Sequence, residues 1–365
     1  MGLRLTKGLF LLKSRNMEQQ QGPRKRKKKP HPIRDWLIYA AVRILIVFLC
    51  LLKARTCLRI ARFLGDLLWK YYPRGRERAL ENLRASFPEK PEDWIQQTGR
   101  RSFEHLVMLA VDVLITPRLV HKHNWRQYAR FTHAEYPKWM MKEGKGLIMV
   151  TAHYGNFELI GYMAGLFGFD VYSVARPLDN KYLNRFLYDV RQRHGLKLID
   201  KKGAAQMMPR IMEQGSVLGF IGDQDAGPKG VFVDFFGRKA STYKSIGLLA
   251  ITYNRPIVVG CTRRVGNEFF FDYVLSRIIF PHEWADKEDP VAWVSAAYTK
   301  AIEDFIRQDP TQYWWLHRRW KTRPKEERQK AQNGVDATPE MPGAATPIIT
   351  MSPTSPVSQS HQASP

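Results

Sequence analysis

The stretch that most constrains this chain runs from Gly146 to Arg176, GLIMVTAHYGNFELIGYMAGLFGFDVYSVAR. Gly146 to Thr151 is a short apolar run rich in strand formers and reads as a buried strand. Ala152, His153, Tyr154, Gly155 and Asn156 follow as a tight turn, and from Phe157 to Leu166 the spacing becomes helical. His153 therefore sits at the turn, with Glu158 in the first helical turn. A histidine there can act in proton transfer, and a carboxylate five positions on can accept its second ring N–H and hold the tautomer. The free N–H groups of a helix start favour developing negative charge. In most proteins a histidine near a glutamate is a satisfied hydrogen bond or a surface pair, so the pair gains weight only from this setting. Zinc is less suited, because HxxxxE lacks the one-face spacing of HExxH and no second histidine lies nearby in sequence.

The flanking sequence continues the alternation. Strands are expected at 170–174, 196–199, 216–221, 257–263 and 268–275, and helices at 180–193, 204–213, 243–253 and 291–308. Such alternation predicts an α/β fold, a mixed sheet flanked by helices on both faces. Upstream, helices are expected at 76–86, closed by Phe87-Pro88, and at 93–115. Residues 124–142 are mixed, with a helix over 136–141, and no internal repeat is visible.

The ends differ from the core. Residues 1–35 form a basic tail carrying PRKRKKKPHP at 23–32, directly before an apolar segment, 36–52, broken only by Arg43. That segment predicts a retained N-terminal anchor helix, spanning or lying in the interface, and Lys53-Ala54-Arg55 makes a poor signal-peptide cleavage site. Residues 54–72 are amphipathic and suit either a core or the headgroup layer. A catalytic domain is expected at 73–324, and from 325 to Pro365 the composition turns charged and then rich in Pro, Ser, Thr and Ala, which predicts a disordered tail. The net charge of +24 points to an anionic partner, either a membrane and its phosphorylated lipids or a nucleic acid. The three scattered cysteines, Cys50, Cys57 and Cys261, suggest neither a disulfide framework nor a metal site, and fit the reducing side of a membrane.

HYGNFE, 153–158, resembles the H-x4-D/E motif of the glycerolipid and lysophospholipid acyltransferases, in the form found in the lipid A biosynthesis lauroyl and myristoyl acyltransferases. The resemblance takes in Asn82-Leu83 with Ser86-Phe87-Pro88, VARPLDN at 174–180, GDQDAGPKGVFVDFFGRKAST at 222–242 and QYWWLHRRWKTRP at 312–324, and so covers 36–324. One departure is Phe157, where the family commonly has Trp. The resemblance implies a glycerolipid acyltransferase-like fold and an O-acyltransferase that moves a fatty acyl group from acyl-acyl-carrier-protein, or acyl-CoA, to a hydroxyl of a phosphorylated glycolipid. It implies no cofactor and a place on the cytoplasmic face of a bacterial inner membrane.

Acyl transfer needs a base for the hydroxyl proton, donors for the tetrahedral oxyanion and anchors for anionic substrate groups. His153 is the expected base and Glu158 its orienter, and no GxSxG motif suggests an acyl-enzyme. Backbone N–H groups at Gly155 and Asn156 are candidate oxyanion donors. Arg176, past the next strand, is placed to bind phosphate, and Asp223 and Gln224 end another core strand, where α/β sheets gather ligands. With Asn156 and Arg238 these make the candidate substrate-binding set. The loop 230–242 is read as a rim able to close over the substrate, and Arg318, Arg319 and Trp320 as headgroup contacts. Two alternatives stay open: an acyltransferase for another glycolipid or a lysophospholipid, and a non-catalytic basic binder of membrane or nucleic acid, although no nucleic-acid motif is visible.

Overall fold

The structure is a computed structural model, and it describes residues 31–332 except 133–134, 176, 193–194 and 201–202. Most of the basic tail, Arg176 and the terminal 333–365 thus lie outside the described residues. Four helices come first: α1 (Pro32–Leu51), α2 (Ala54–Tyr71), α3 (Pro73–Ser86) and α4 (Glu92–Leu119). The core then runs β1 (Ala129–Thr132), α5 (Glu135–Lys142), β2 (Leu147–Thr151), α6 (Phe157–Leu166), β3 (Val171–Ala175), α7 (Lys181–Gln192), β4 (Lys197–Asp200), α8 (Ala204–Glu213) and β5 (Val217–Ile221). It is completed by the hairpin β6 (Val231–Phe235) and β7 (Arg238–Thr242), then α9 (Lys244–Tyr253), β8 (Ile257–Arg264), β9 (Phe271–Ile279) and α10 (Pro290–Gln308).

The main sheet has seven strands in the order β1-β9-β8-β2-β5-β3-β4. Strands β8, β2, β5, β3 and β4 are mutually parallel, whereas β9 returns antiparallel to β8 and pairs in parallel with β1. The sheet is mixed, as the alternating sequence implies. Its two faces follow the period of two along β2. Ile148 and Val150 pack into one cluster with Ile302 and Phe305 of α10, while Leu147 joins Met140 of α5 and Ala164 of α6 on the other side. Helices therefore cover both faces, which buries the continuous apolar runs of the parallel strands.

Two expectations for the ends are revised. No described helix is long and apolar enough to cross a membrane. Helix α1 is instead docked on the domain: Asn180 donates to the carbonyl of Asp35 at 2.8 Å, and the Arg43 guanidinium lies 5.3 Å from the Phe186 ring of α7. Its outer side leaves Ile44, Val47 and Leu51 70%, 59% and 79% exposed. Helix α2 packs on α4 through Cys57, Leu58, Ala61 and Gly65, so close that a Cβ at Gly65 would lie 2.4 Å from the Glu104 Cα. At the other end, the first residues of the expected disordered tail form helix α11 (Lys325–Gln332), and the rest of that tail lies outside the described residues. KEERQKAQ is composed of good helix formers, and their propensity accounts for the helix.

The segment read as a rim loop, 230–242, is a hairpin. Phe236 and Gly237 both adopt positive φ, 53° and 69°, in a two-residue turn whose twist suits adjoining strands. Val233, Phe235 and Ala240 are buried and the Phe236 N–H donates to Glu303 of α10, so the hairpin is anchored rather than a free flap.

Candidate active site

Strands β2 and β5 are parallel neighbours, and the residues just past their carboxyl ends meet. This edge of an α/β sheet is where ligands bind. His153 follows β2 and Asp223 follows β5, with side chains 7% and 0% exposed. The Nδ1–H of His153 donates to Asp223 Oδ1 at 2.8 Å, and the His153 backbone N–H donates to Oδ2 at 3.1 Å. Two contacts to one carboxylate fix the ring and leave the lone pair on Nε2. The Gln224 amide nitrogen lies 3.4 Å from that Nε2. Burial works to raise the Asp223 carboxyl, but the attraction and hydrogen bonding of His153, with the pull of His317, hold it well below the usual carboxylate range.

Glu158, the expected orienter, faces elsewhere. Its carboxylate takes both arms of Arg191 on α7, the Nε at 2.9 Å, and the pair borders a crevice lined by Val113, Leu159, Tyr162 and Leu196. The His153 ring is instead bounded by Phe157, Trp314 and His317, with ring centroids 5.0, 5.2 and 4.3 Å away. His317 Nδ1 is 3.9 Å from Asp223 Oδ2 and, although buried, has no hydrogen-bond partner. Burial, partly offset by Asp223, pushes the His317 imidazole down to about 4, so it is neutral at pH 7. Among the described residues, His153, Asp223 and His317 are the cluster able to hold a metal ion, with ligand atoms all within 4.8 Å of one another.

Gly155 is required at the turn. It has φ +56°, and a Cβ there would lie 1.9 Å from the carbonyl oxygen of Thr262 on β8. Its N–H donates to Gln312 and that of Asn156 to Thr262, at 3.1 and 2.8 Å, so neither is free to act as an oxyanion donor. The Asn156 side chain is occupied too. It caps α6 by accepting from Leu159 N–H at 3.0 Å and donates toward Asp112 at 3.4 Å, which makes it a positioning residue rather than a substrate contact. Gly155→Ala is expected to unfold at a temperature at least several degrees lower and to lose activity, since both backbone and left-handed conformation oppose the new methyl. Thermal melting with an activity assay checks this.

The remaining expected ligands divide. Arg319 is 1% exposed and donates to the carbonyls of Gln224 and Ser241 and to the Thr242 hydroxyl, so it clamps the hairpin to the Asp223 loop and is no headgroup contact. Trp320 stacks on Phe235, centroids 5.6 Å apart, and the Arg238 guanidinium lies 3.5 Å from the Trp320 ring centroid while donating to Ser86. Both are packing residues, and burial lowers the Arg238 guanidinium to about 10. Of the three expected headgroup contacts, Arg318 is the exposed one. Asn82 binds the carbonyls of Trp315 and His317 at 2.8 and 3.1 Å, which explains why residues 82 and 312–324 belong to one constellation.

His105 of α4 lines the small crevice beside His153, and its Nε2 is buried without a partner. Burial, assisted by Arg264, pushes it down to about 3. With the folded value below the unfolded one, the unfolded chain binds the extra proton, so this group's contribution is intact above about pH 6.5 and falls as pH drops toward 3. His105→Leu is expected to flatten the stability curve over that window, read by urea unfolding at a series of pH values.

Comparison with known proteins gives the family of the chain. Residues 23–322 match the family model for bacterial lipid A biosynthesis acyltransferases. The Escherichia coli lipid A biosynthesis lauroyltransferase is 26% identical over 306 residues, covering 81% of this chain and 94% of that protein. A Haemophilus influenzae lipid A biosynthesis acyltransferase is 27% identical over 311 residues, 80% and 92% of the two chains, and the E. coli palmitoleoyltransferase 24% identical over 304, 80% and 94%. The family match spans the helical N-terminal region, the sheet and the aromatic segment that closes on His153, so this chain belongs to the bacterial lipid A biosynthesis acyltransferases and is an acyltransferase.

Proposed function

We propose that this acyltransferase moves a fatty acyl group from the thioester of an acyl carrier protein, or of CoA, to a hydroxyl of a phosphorylated glycolipid, with His153 as general base oriented by Asp223. The observation that carries the reading is the 2.8 Å contact from His153 Nδ1 to a buried carboxylate, which leaves Nε2 as the atom that accepts a proton. Nε2 takes the acceptor's hydroxyl proton as the oxygen attacks the thioester carbonyl carbon. The tetrahedral oxyanion collapses, the C–S bond breaks, and the departing thiolate takes the proton back from the imidazolium. Asp223 stabilises that imidazolium without itself taking the proton. With Gly155 and Asn156 engaged in the fold, the exposed Gln224 amide, 3.4 Å from Nε2, is the group we assign to the oxyanion.

The crevice of Val113, Leu159, Tyr162 and Leu196, bordered by Glu158 and Arg191, offers an apolar wall with a polar rim that suits contact with part of a fatty chain. The basic surface suits both an acidic carrier protein and an anionic bilayer. Exposed Ile44, Val47 and Leu51 on α1 and Phe63 and Leu64 on α2, with Arg55 and Arg59 nearby in sequence, favour attachment in the interface on the cytoplasmic side rather than by a span. In the test, purified enzyme receives acyl-carrier-protein or acyl-CoA thioester with either a phosphorylated disaccharide glycolipid or a lysophospholipid, and products are weighed by mass spectrometry. The proposal expects one acyl mass added to the glycolipid; acylation of the lysophospholipid alone would refute it.

A further inference from the structure

We propose that His153, Asp223 and His317 form a binding site for a divalent transition-metal ion of the zinc type, and that its occupancy switches the enzyme off. The donors come from three separate segments, which is why the sequence shows no metal-ligand spacing. Their ligand atoms lie within 4.8 Å of one another, with His153 Nδ1 2.8 Å and His317 Nδ1 3.9 Å from the two Asp223 oxygens. Zinc bonds of about 2.0–2.2 Å set tetrahedral donors about 3.3–3.5 Å apart, so the 2.8 Å contact has to open by about 0.6 Å and the widest separation, up to 4.8 Å, has to close by up to about 1.5 Å. The His317 ring is partly exposed and can make that adjustment, while Asp223 is fixed.

Two independent features favour an ion. The His317 Nδ1 is a buried nitrogen with no hydrogen-bond partner, the kind of unsatisfied group that native structures rarely keep without a use. The donor set is also selective: two imidazoles and one carboxylate suit zinc or cobalt and disfavour magnesium and calcium, which take oxygen ligands. Three protein donors leave a fourth position open to water.

The effect on activity follows from proton bookkeeping at one ring. Without metal, His153 carries its proton on Nδ1, toward Asp223, and Nε2 is the base. A metal on Nδ1 uses that lone pair, so the single proton of the neutral ring moves to Nε2. No proton is released, yet no base remains. The silencing rests on the assignment of His153 as the base, whereas the metal site does not.

The test uses Co2+ as probe on the full-length protein without acyl substrates. One equivalent is expected to give the visible absorption of a four-coordinate nitrogen and oxygen site. His317→Ala or His317→Gln should abolish it, with folding verified by circular dichroism. Ala replacements at His121 and His123, whose rings stack 5.6 Å apart and offer the competing adventitious pair, should keep it. In parallel, Zn2+ should lower the transfer rate of the wild type at least tenfold, with EDTA restoring it. Absence of stoichiometric binding below millimolar Co2+, or an unchanged spectrum in both folded His317 variants, overturns the site. A zinc-loaded enzyme that keeps its full rate overturns the silencing. Since the spectrum is read without substrate, a failed acyl-transfer assignment leaves the metal result legible.

Discussion

Asp223→Asn is expected to lower kcat by about 10³–10⁴-fold while leaving KM within a few-fold of wild type. The asparagine keeps the size of the side chain but presents an amide to Nδ1. The favoured tautomer then places the ring proton on Nε2, where the base must be empty, and the imidazolium loses its counter-charge. The split between kcat and KM separates this role from packing, because a buried carboxylate 2.8 Å from the ring orients the base without touching the acceptor. Glu158→Gln breaks the pair with Arg191 and leaves the Nδ1 hydrogen bond in place, so its effect should fall on KM with kcat within a few-fold of wild type. Steady-state kinetics of both variants over pH 5–9 decide between the two carboxylates.

A second large effect is expected at a buried ion pair behind the turn that carries His153. Asp112 of α4 and Arg264 at the end of β8 form a salt bridge with side chains 0% and 2% exposed. Burial pushes the Asp112 carboxyl up and the Arg264 guanidinium down, while the opposite charge of each pulls the other way. Arg264→Met strands a buried carboxylate and should cost about 3–5 kcal/mol of stability. The double variant Asp112→Leu, Arg264→Met should recover most of that loss, because removing both charges removes their shared desolvation cost. Denaturant unfolding of the single and double variants measures it. Activity should follow only partly. Asp112 also accepts from Asn156, and Gln312, which makes two hydrogen bonds to the Arg264 backbone, holds the Gly155 N–H, so the pair supports the turn that carries His153.

What was readable in the sequence is what is local. The strand over 147–151, the turn and the helix over 157–166 appear where the apolar run, the glycine and the helical spacing put them, and so does the helix over 204–213. The partner of His153 is not local. A separation of five residues suggested Glu158, but His153 lies outside α6, beyond a left-handed Gly155, so helical spacing says nothing about which carboxylate its ring meets. The true partner depends on β2 and β5 being neighbours, a fact of strand order that one chain's periodicity does not contain. Arg319 misled for a related reason. A basic residue amid tryptophans reads as interfacial until carbonyls of two distant segments are seen to enclose it. The hairpin escaped notice because its turn places Phe236, not a glycine or asparagine, at positive φ. Strand β1 escaped because ARFT is short, at the sheet edge and only half buried.

The most direct measurement is the single-turnover rate of His153→Ala with an acyl-carrier-protein thioester and a phosphorylated glycolipid acceptor, alongside acceptor binding by the same variant. If His153 is the base, acyl transfer should fall at least a thousandfold with acceptor affinity within about threefold of wild type. A variant that still transfers the acyl group within tenfold of the wild-type rate would show that another residue takes the proton.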